Sequence, residues 1–138
     1  MEICMVNLLN NKLKFGIQTN GIKHDHEHSM PDIHERFSMV KDSNVFDYVD
    51  KTPELNEIEQ FKECSKKFDL PVRAGGWFYQ IGNHRKLLER NLKIGRELGS
   101  LVHNTQIQAY KNNGQLADDE DIRNIYLEAY DLGLKYNV

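Results

Sequence analysis

Cysteine is scarce in the sequence, which argues against a protein held together by disulfides or by a structural metal. The two cysteines, Cys4 and Cys64, have no partner at metal-ligand spacing, and Cys64 falls within a helical pattern. Reduced thiols in a cytoplasmic protein are therefore the expectation. A disulfide between the two cysteines is the alternative that the sequence leaves open.

Long apolar runs and an excess of positive charge are also absent. No run approaches the roughly 18 residues that a membrane-spanning helix needs. Residues 1–16, MEICMVNLLNNKLKFG, include a short apolar patch without a basic leader or a cleavage site, so we do not interpret them as a signal peptide. The formal net charge of −3 gives no electrostatic reason to expect a nucleic acid or an anionic membrane as a partner.

What the sequence does contain is typical of a soluble globular domain. Its 138 residues are 39% hydrophobic and 28% charged, which suits a single domain with its own core. We find neither a linker nor a low-complexity segment between the patterned parts of the chain. The prediction is therefore a single domain over residues 1–138.

Four strand patterns, each followed by a helix pattern, recur about every thirty residues. The predicted strands span residues 14–19, 45–50, 71–79 and 101–110, and the third of these stretches includes a double-glycine turn at Gly75 and Gly76 before its aromatic residues. The first two helices are predicted to begin near Ser29 and Thr52, the third to end at Gly99, and the fourth to begin at Asp118. The predicted buried stripes of the four helices are Ile33, Phe37 and Val40; Leu55, Ile58, Phe61 and Phe68; Leu87, Leu88, Asn91, Ile94 and Leu98; and Ile122, Ile125, Tyr126, Ala129 and Leu132.

This alternation predicts parallel strands joined by right-handed crossovers. The predicted fold class is α/β, with four consecutive β-α units that form a (βα)4 half of a TIM barrel, a fold that has about 250 residues when complete. An open four-stranded sheet leaves both edge strands unpaired and one face bare. We therefore expect a second copy in a homo-oligomer, another chain, or a missing C-terminal half to complete the fold.

Polar residues follow the predicted strands at the ends where parallel α/β folds bind ligands. Amides, hydroxyls and one carboxylate predominate there, which suits a sugar-like ligand better than an apolar one, and no Glu, Asp and His cluster for a divalent metal is present. The predicted substrate-binding residues are Gln18, Asp50, Lys51, Gly76, Trp77, Gln106 and Gln108.

Asp50 is the best candidate among these, since it ends a strand just before a helix and Lys51 is placed to adjust its pKa. The alternative is that Asp50 caps the following turn. Trp77 either stacks on a sugar face or packs against a neighbouring loop. The catalytic residues stay unknown, because there is no Gly-rich phosphate loop, nucleophile elbow or cysteine–histidine pair.

The histidines are weaker candidates. His24, His26 and His28 alternate along one segment, a spacing that can bring three imidazoles to a metal. Because that segment has the composition of a polar loop before a helix, we favour solvated side chains over a metal site. His103 lies in the middle of the fourth predicted strand, where a packed or hydrogen-bonded core histidine is favoured over a catalytic base.

Three segments, FDYVDKTP, PVRAGGWFY and LGSLVHNTQIQAY, resemble the xylose isomerase-like TIM barrels in order and spacing. That superfamily holds sugar and sugar-phosphate isomerases and epimerases together with enzymes of the endonuclease IV type. The resemblance, over residues 14–138, implies a full barrel with a divalent metal whose ligands come mostly from later strands. No metal is then expected from this chain alone, and Asp50, Trp77 and Gln106 resemble pocket positions.

Three functional hypotheses follow. The first is the N-terminal half of a metal-dependent sugar or sugar-phosphate isomerase or epimerase, which supplies substrate contacts and is inactive alone. The second is a non-catalytic half-barrel that forms homodimers through its sheet edges. The third is a sugar-binding module without chemistry.

Overall fold

A computed structural model of the chain describes residues 13–22, 29–75 and 77–138. Helices separate the strands along it except at one point, where two strands follow each other, and short 3-10 turns lie at Thr19–Gly21 and Leu55–Glu57. The strands are β1 (Gly16–Ile17), β2 (Tyr48–Asp50), β3 (Val72–Arg73), β4 (Trp77–Tyr79) and β5 (Thr105–Ile107). The helices are α1 (Ile33–Asp42), α2 (Ile58–Phe68), α3 (His84–Glu97) and α4 (Asp119–Tyr136). None of the helices in these ranges is both long and apolar enough to cross a membrane.

The described strands form two parallel sheets, with the orders β1-β2-β3 and β4-β5. The predicted α/β class with parallel strands is confirmed. The prediction of one four-stranded sheet in a TIM half-barrel is not supported, because the third predicted strand is divided. Its first part, β3, pairs with β2 through Val49 and Val72, and its second part, β4, pairs with β5 through Tyr79 and Ile107.

The strand is divided at Ala74 and Gly75, whose backbone groups bond to distant parts of the chain. The Ala74 N–H donates to Ser100 Oγ at 3.0 Å, and the Gly75 carbonyl accepts from the Thr52 N–H at 3.0 Å. These backbone groups are therefore bonded to loop residues. In a continuous strand, the same groups would form hydrogen bonds to the neighbouring strands on both sides. We call β1–β3 with α1 and α2 the first module, and β4–β5 with α3 and α4 the second module.

The core of the first module is apolar and aromatic. Phe37 and Phe61, both buried, meet edge to face with ring centroids 5.4 Å apart. The thiol of Cys64 is free and buried in the same cluster, and burial raises its pKa. The buried members of the cluster are Ile33, Phe37, Val40, Val49, Phe61, Cys64, Leu70 and Val72.

The helix starts of the first module differ from the prediction. Asp32, not Ser29, caps α1, where it forms a capping box with Glu35. The 3-10 turn before α2 is capped by Glu54, while Thr52 is fully buried. Leu55, predicted to be buried, is 62% exposed because it lies in this turn and not in α2.

The second module has a smaller core, formed by Tyr79, Leu88, Leu92, Ile125 and Leu132. Gly99 follows the end of α3 with a φ of +73°, which confirms the predicted glycine stop. Asp118 caps α4 through the Asp121 N–H. Tyr126 of α4, predicted to be buried, is half exposed. Leu101 and Val102 precede β5 and are exposed, so the fourth strand is shorter than predicted.

Candidate functional site

A cleft of about 220 Å³ lies on the face of the first sheet that is turned away from α1 and α2. Side chains alternate across a strand, so buried Val49 points to the helices while Tyr48 and Asp50 point to the other face. Arg73 is the register partner of Asp50 and lies on the same face. The residues that line the cleft are Tyr48, Asp50, Arg73, Ala74, Val102, His103 and Asn104.

The Asp50 carboxylate is half-buried at the end of β2. Burial raises its pKa above the ordinary value of 3.8, and a hydrogen bond from Gln18 and the charge of Arg73 offset part of that rise. The nearby cation that lowers the pKa of Asp50 is Arg73, and not Lys51 as the sequence had predicted. The Lys51 side chain is directed elsewhere, since its Nζ donates to Asn20 Oδ1 at 2.8 Å.

Gly75 makes room for this carboxylate. A Cβ at position 75 would collide with Asp50 Oδ1 and would lie 3.3 Å from the Cβ of Asn104. The glycine was noticed in the sequence as part of a turn. Its structural role is to let the Asp50 carboxylate and the Asn104 side chain approach the backbone closely.

Arg73 is held in place by Tyr48. The guanidinium carbon lies 4.1 Å from the Tyr48 ring centroid, a cation–π distance. The Tyr48 ring in turn occupies the space where Gly16 lacks a side chain, since a Cβ there would collide with the ring. The guanidinium therefore stacks on Tyr48 and lies close enough to Asp50 for its charge to lower the pKa of that carboxyl.

His103 lies at the edge of the cleft, and both of its ring nitrogens are engaged. Nδ1 is 2.5 Å from the Ala74 carbonyl oxygen and Nε2 is 2.6 Å from Tyr79 Oη. A carbonyl can only accept, so Nδ1 carries the proton and Nε2 accepts from Tyr79. Asn91 Nδ2 donates to the same hydroxyl at 2.8 Å. Burial lowers the pKa of His103 and raises the pKa of Tyr79 to about 12.

These bonds make His103 the hydrogen-bonded core histidine that the sequence predicted. A neutral imidazole with both nitrogens bonded to the protein has no free nitrogen for a ligand. His103 therefore shapes the cleft wall and does not serve as a base there.

Trp77 lies outside the cleft. Its indole N–H donates to the Thr52 carbonyl at 3.3 Å, and the Arg90 guanidinium lies 4.9 Å from its ring. Arg90 belongs to α3, so the indole is on the helix side of the second sheet. This is the packing alternative considered for Trp77 from the sequence.

The remaining predicted residues are spread over the molecule. Gln18 is the N-cap residue of the first 3-10 turn and reaches Asp50. Gln106 is half-buried in β5 opposite Phe78, and exposed Gln108 follows that strand. Gly76 lies outside the described residues, as do His24, His26 and His28. Of the predicted set, Gln18 and Asp50 are therefore brought together at the cleft.

Sequence reasoning missed Tyr48, Arg73 and Asn104. Tyr48 and Asp50 are two residues apart in one strand, so period-two alternation was the signal that could have found the first of them. Placing Arg73 beside Asp50 requires the register between β2 and β3, which the sequence alone does not provide. Asn104 reaches the cleft from a loop.

Metal ligands do not converge at the cleft. Across residues 13–22, 29–75 and 77–138, no group of three or more His, Cys, Asp or Glu side chains is arranged to hold a metal ion. The segment with the three alternating histidines is not among these residues.

Comparisons with known proteins give one informative likeness. No protein-family model matches the chain, and no curated protein matches it. A solved structure that does match is the apo form of a 3-keto-D-glucoside 4-epimerase from E. coli, with a TM-score of 0.59 and 23% sequence identity. The match covers 88% of this chain and 54% of that one, so the chain spans about half the length of its structural neighbour.

This likeness concerns the fold, and it changes the assignment made from the sequence. The predicted membership of the xylose isomerase-like TIM barrels is corrected: no family model supports it, and the structure matched is known as a 3-keto-D-glucoside 4-epimerase. The two separate parallel sheets also differ from the continuous half-barrel that the resemblance implied.

Proposed function

We propose that the cleft beside Asp50 binds a sugar-like ligand and that the chain serves a sugar isomerase or epimerase reaction. The observation that carries the proposal is the pairing of a half-buried carboxylate with a positioned guanidinium on the open face of a parallel sheet. The likeness to an epimerase of a keto-glucoside supports the choice of a sugar.

The side chains of the cleft suit the functional groups of a keto sugar. The Asp50 carboxylate accepts hydrogen bonds from neighbouring hydroxyls, and the Asn104 amide both donates and accepts. The donors of Arg73 fit a carbonyl or a pair of hydroxyl oxygens. Gly75 has no side chain that would separate these groups from the ligand.

Isomerisation and epimerisation beside a carbonyl both require the removal of a proton from carbon. Burial raises the pKa of Asp50 and makes its carboxylate a better proton acceptor than a solvated one. Arg73 is placed to stabilise the negative charge that develops on the carbonyl oxygen. The divalent metal and the cytoplasmic location stay predictions.

The proposal is tested by titrating the purified chain with D-fructose and with a methyl 3-keto-D-glucoside, followed by amide NMR. We expect shifts for residues around the cleft and a loss of affinity of at least about tenfold in Asp50→Asn and Arg73→Gln, since each removes a charged hydrogen-bonding group. Gly75→Ala should weaken binding similarly, because the new Cβ displaces the carboxylate. Lys66→Gln, an exposed change on α2, is the matched control.

The chemistry is tested separately by following deuterium uptake from D2O into the bound keto sugar. Uptake that disappears in Asp50→Asn supports proton transfer by this carboxylate. Binding without uptake would leave a sugar-binding module. Equal affinities for the parent chain and both charge variants would contradict the proposed site.

A further inference from the structure

Helix α4 is apolar on two opposite faces. One face is buried in the core of the second module through Ile125 and Leu132. The other is exposed, and its large apolar side chains are between 50% and 65% accessible. These are Tyr126, Leu127, Tyr130 and Leu134. A surface helix normally has one apolar stripe, so the second stripe needs its own partner.

The exposed stripe continues into a groove of about 340 Å³. Small residues, Ala129 and Gly133, form part of its lining, and Leu101, 76% exposed, lies across from them. Tyr130 and Leu134 border both the stripe and the groove. The apolar surface is therefore continuous from the middle of α4 to its end.

Charged residues accompany the stripe in a regular order. A row with a spacing of four residues runs along the exposed side of α4, and its members are Asp119, Arg123, Leu127, Asp131 and Lys135. The order along the row is acid, base, leucine, acid, base. Residues four apart form one of the ridges through which helices pack against each other.

We propose that α4 is a self-association surface, on which α4 of a second copy packs antiparallel about a two-fold axis at Leu127. Reversing the row about its centre places Asp119 opposite Lys135 of the copy and Arg123 opposite Asp131 of the copy. Because the axis is two-fold, each of these opposite-charge pairs occurs twice.

The charges also select the antiparallel arrangement. In a parallel pair each acid would face an acid and each base a base, which disfavours that orientation. The apolar stripe and the groove beside it supply the area that is buried.

The central charges are free to form these pairs. Neither Arg123 nor Asp131 forms an ion pair with any residue in the described part of the chain. Lys135 already contacts Glu89 at 3.0 Å, and its side chain is 59% exposed, so it is shared between Glu89 and the copy. Arg123 and Asp131 are therefore the residues that specify the partner.

The surface is distinct from the sheet edges through which a half-barrel was expected to pair, and from the cleft beside Asp50. Pairing through α4 leaves the open faces of both sheets accessible. A ligand in the cleft and a second copy on α4 are therefore compatible.

Sedimentation equilibrium of the 138-residue chain tests the proposal. We expect a monomer–dimer equilibrium, with a dissociation constant raised about tenfold or more by Arg123→Asp and by Asp131→Arg, because each variant creates two like-charge contacts. The double variant R123D/D131R exchanges the charges and should restore the dimer to within about threefold of the parent chain. Lys66→Asp, a charge reversal at an exposed position of α2, is the control and should have no effect.

Circular dichroism and thermal unfolding of each variant show whether the fold is kept. Leu127→Glu, which brings two carboxylates together at the axis, provides a further disruption that does not depend on the ion pairs. A chain that stays monomeric at millimolar concentration overturns the proposal. So does a dimer that is insensitive to Leu127→Glu and to both reversals, an outcome that would favour pairing through the sheet edges.

Discussion

The first module has an apolar core, and its polar side chains lie on the open face of its sheet. The second module is the reverse: a polar network lies in its core, and large apolar side chains are exposed on its surface. In the first, Asp50 and Arg73 lie at the cleft, above a core of aliphatic and aromatic residues. In the second, the Tyr79 hydroxyl is hydrogen-bonded to both Asn91 and His103. We associate the first arrangement with ligand binding and the second with rigidity and assembly.

The two modules, both built on parallel strands, differ in whether their buried hydroxyl groups have hydrogen-bond partners. The Tyr79 hydroxyl both donates and accepts within the core. The hydroxyl of Thr52, equally buried in the first module, has no hydrogen-bond partner among the residues that the structure describes. Removing one hydroxyl from each module is thus a matched test.

The largest effect is expected for Tyr79→Phe. The variant leaves the Asn91 Nδ2–H without an acceptor and His103 Nε2 without a donor, both at buried or half-buried positions. The cost of such unpaired groups is about 1–3 kcal/mol in the free energy of unfolding. Urea denaturation measures it, and an unchanged midpoint would show that the network does not stabilise the second module.

A smaller effect is expected from pH, with opposite signs for the two modules. Burial lowers the pKa of His103 below its ordinary value of 6.5, so the neutral form is favoured in the folded state. The stability that this group contributes is present above pH 6.5 and is lost as the pH falls through the folded pKa. A single group changes the free energy by at most about 1.4 kcal/mol per pH unit.

Asp50 has the reverse dependence. Its pKa is raised from 3.8, so its contribution to stability is present below that pH and is lost as the pH rises through the folded pKa. The urea midpoint measured between pH 5 and pH 8 reports on His103, because its ordinary pKa of 6.5 lies in that range. His103→Gln should reduce the change of the midpoint with pH. A slope that survives this substitution would place the responsible group elsewhere.

The smallest effect is expected for Thr52→Val. Valine keeps the shape of threonine and removes a buried hydroxyl that has no partner in the described part of the chain, so the free energy of unfolding should stay within about 0.5 kcal/mol or rise. The same urea experiment that tests Tyr79→Phe provides the measurement. A loss as large as that of Tyr79→Phe would remove the contrast between the modules.

Much of the local structure could be predicted because it depends on neighbouring residues. The helical stripe of Ile33, Phe37 and Val40, the glycine stop at Gly99 and the acidic start of α4 are all encoded within a few positions. The position of Asp50 at the end of a strand was predicted in the same way, since the end of a strand before a helix is visible in the sequence. These features need no knowledge of distant contacts.

The cleft itself could not be predicted, because it depends on the break in the third strand. In an unbroken strand, Trp77 would point to the same side as Arg73, four residues earlier. The break reverses the alternation, so Trp77 and Tyr79 face the helices and Phe78 is exposed. At the break the Ala74 N–H is bonded to Ser100, twenty-six residues away in the sequence, and no local pattern indicates that bond.

The bonds to Ala74 have a consequence for how the molecule can change. Ser100 holds its N–H and His103 holds its carbonyl, so two side chains from one loop replace the adjoining strand of a ladder. A backbone ladder survives almost any substitution, because every residue type carries the same amide. The join between the two sheets instead depends on the identity of two residues, and single substitutions there can alter how the sheets meet while leaving each sheet intact.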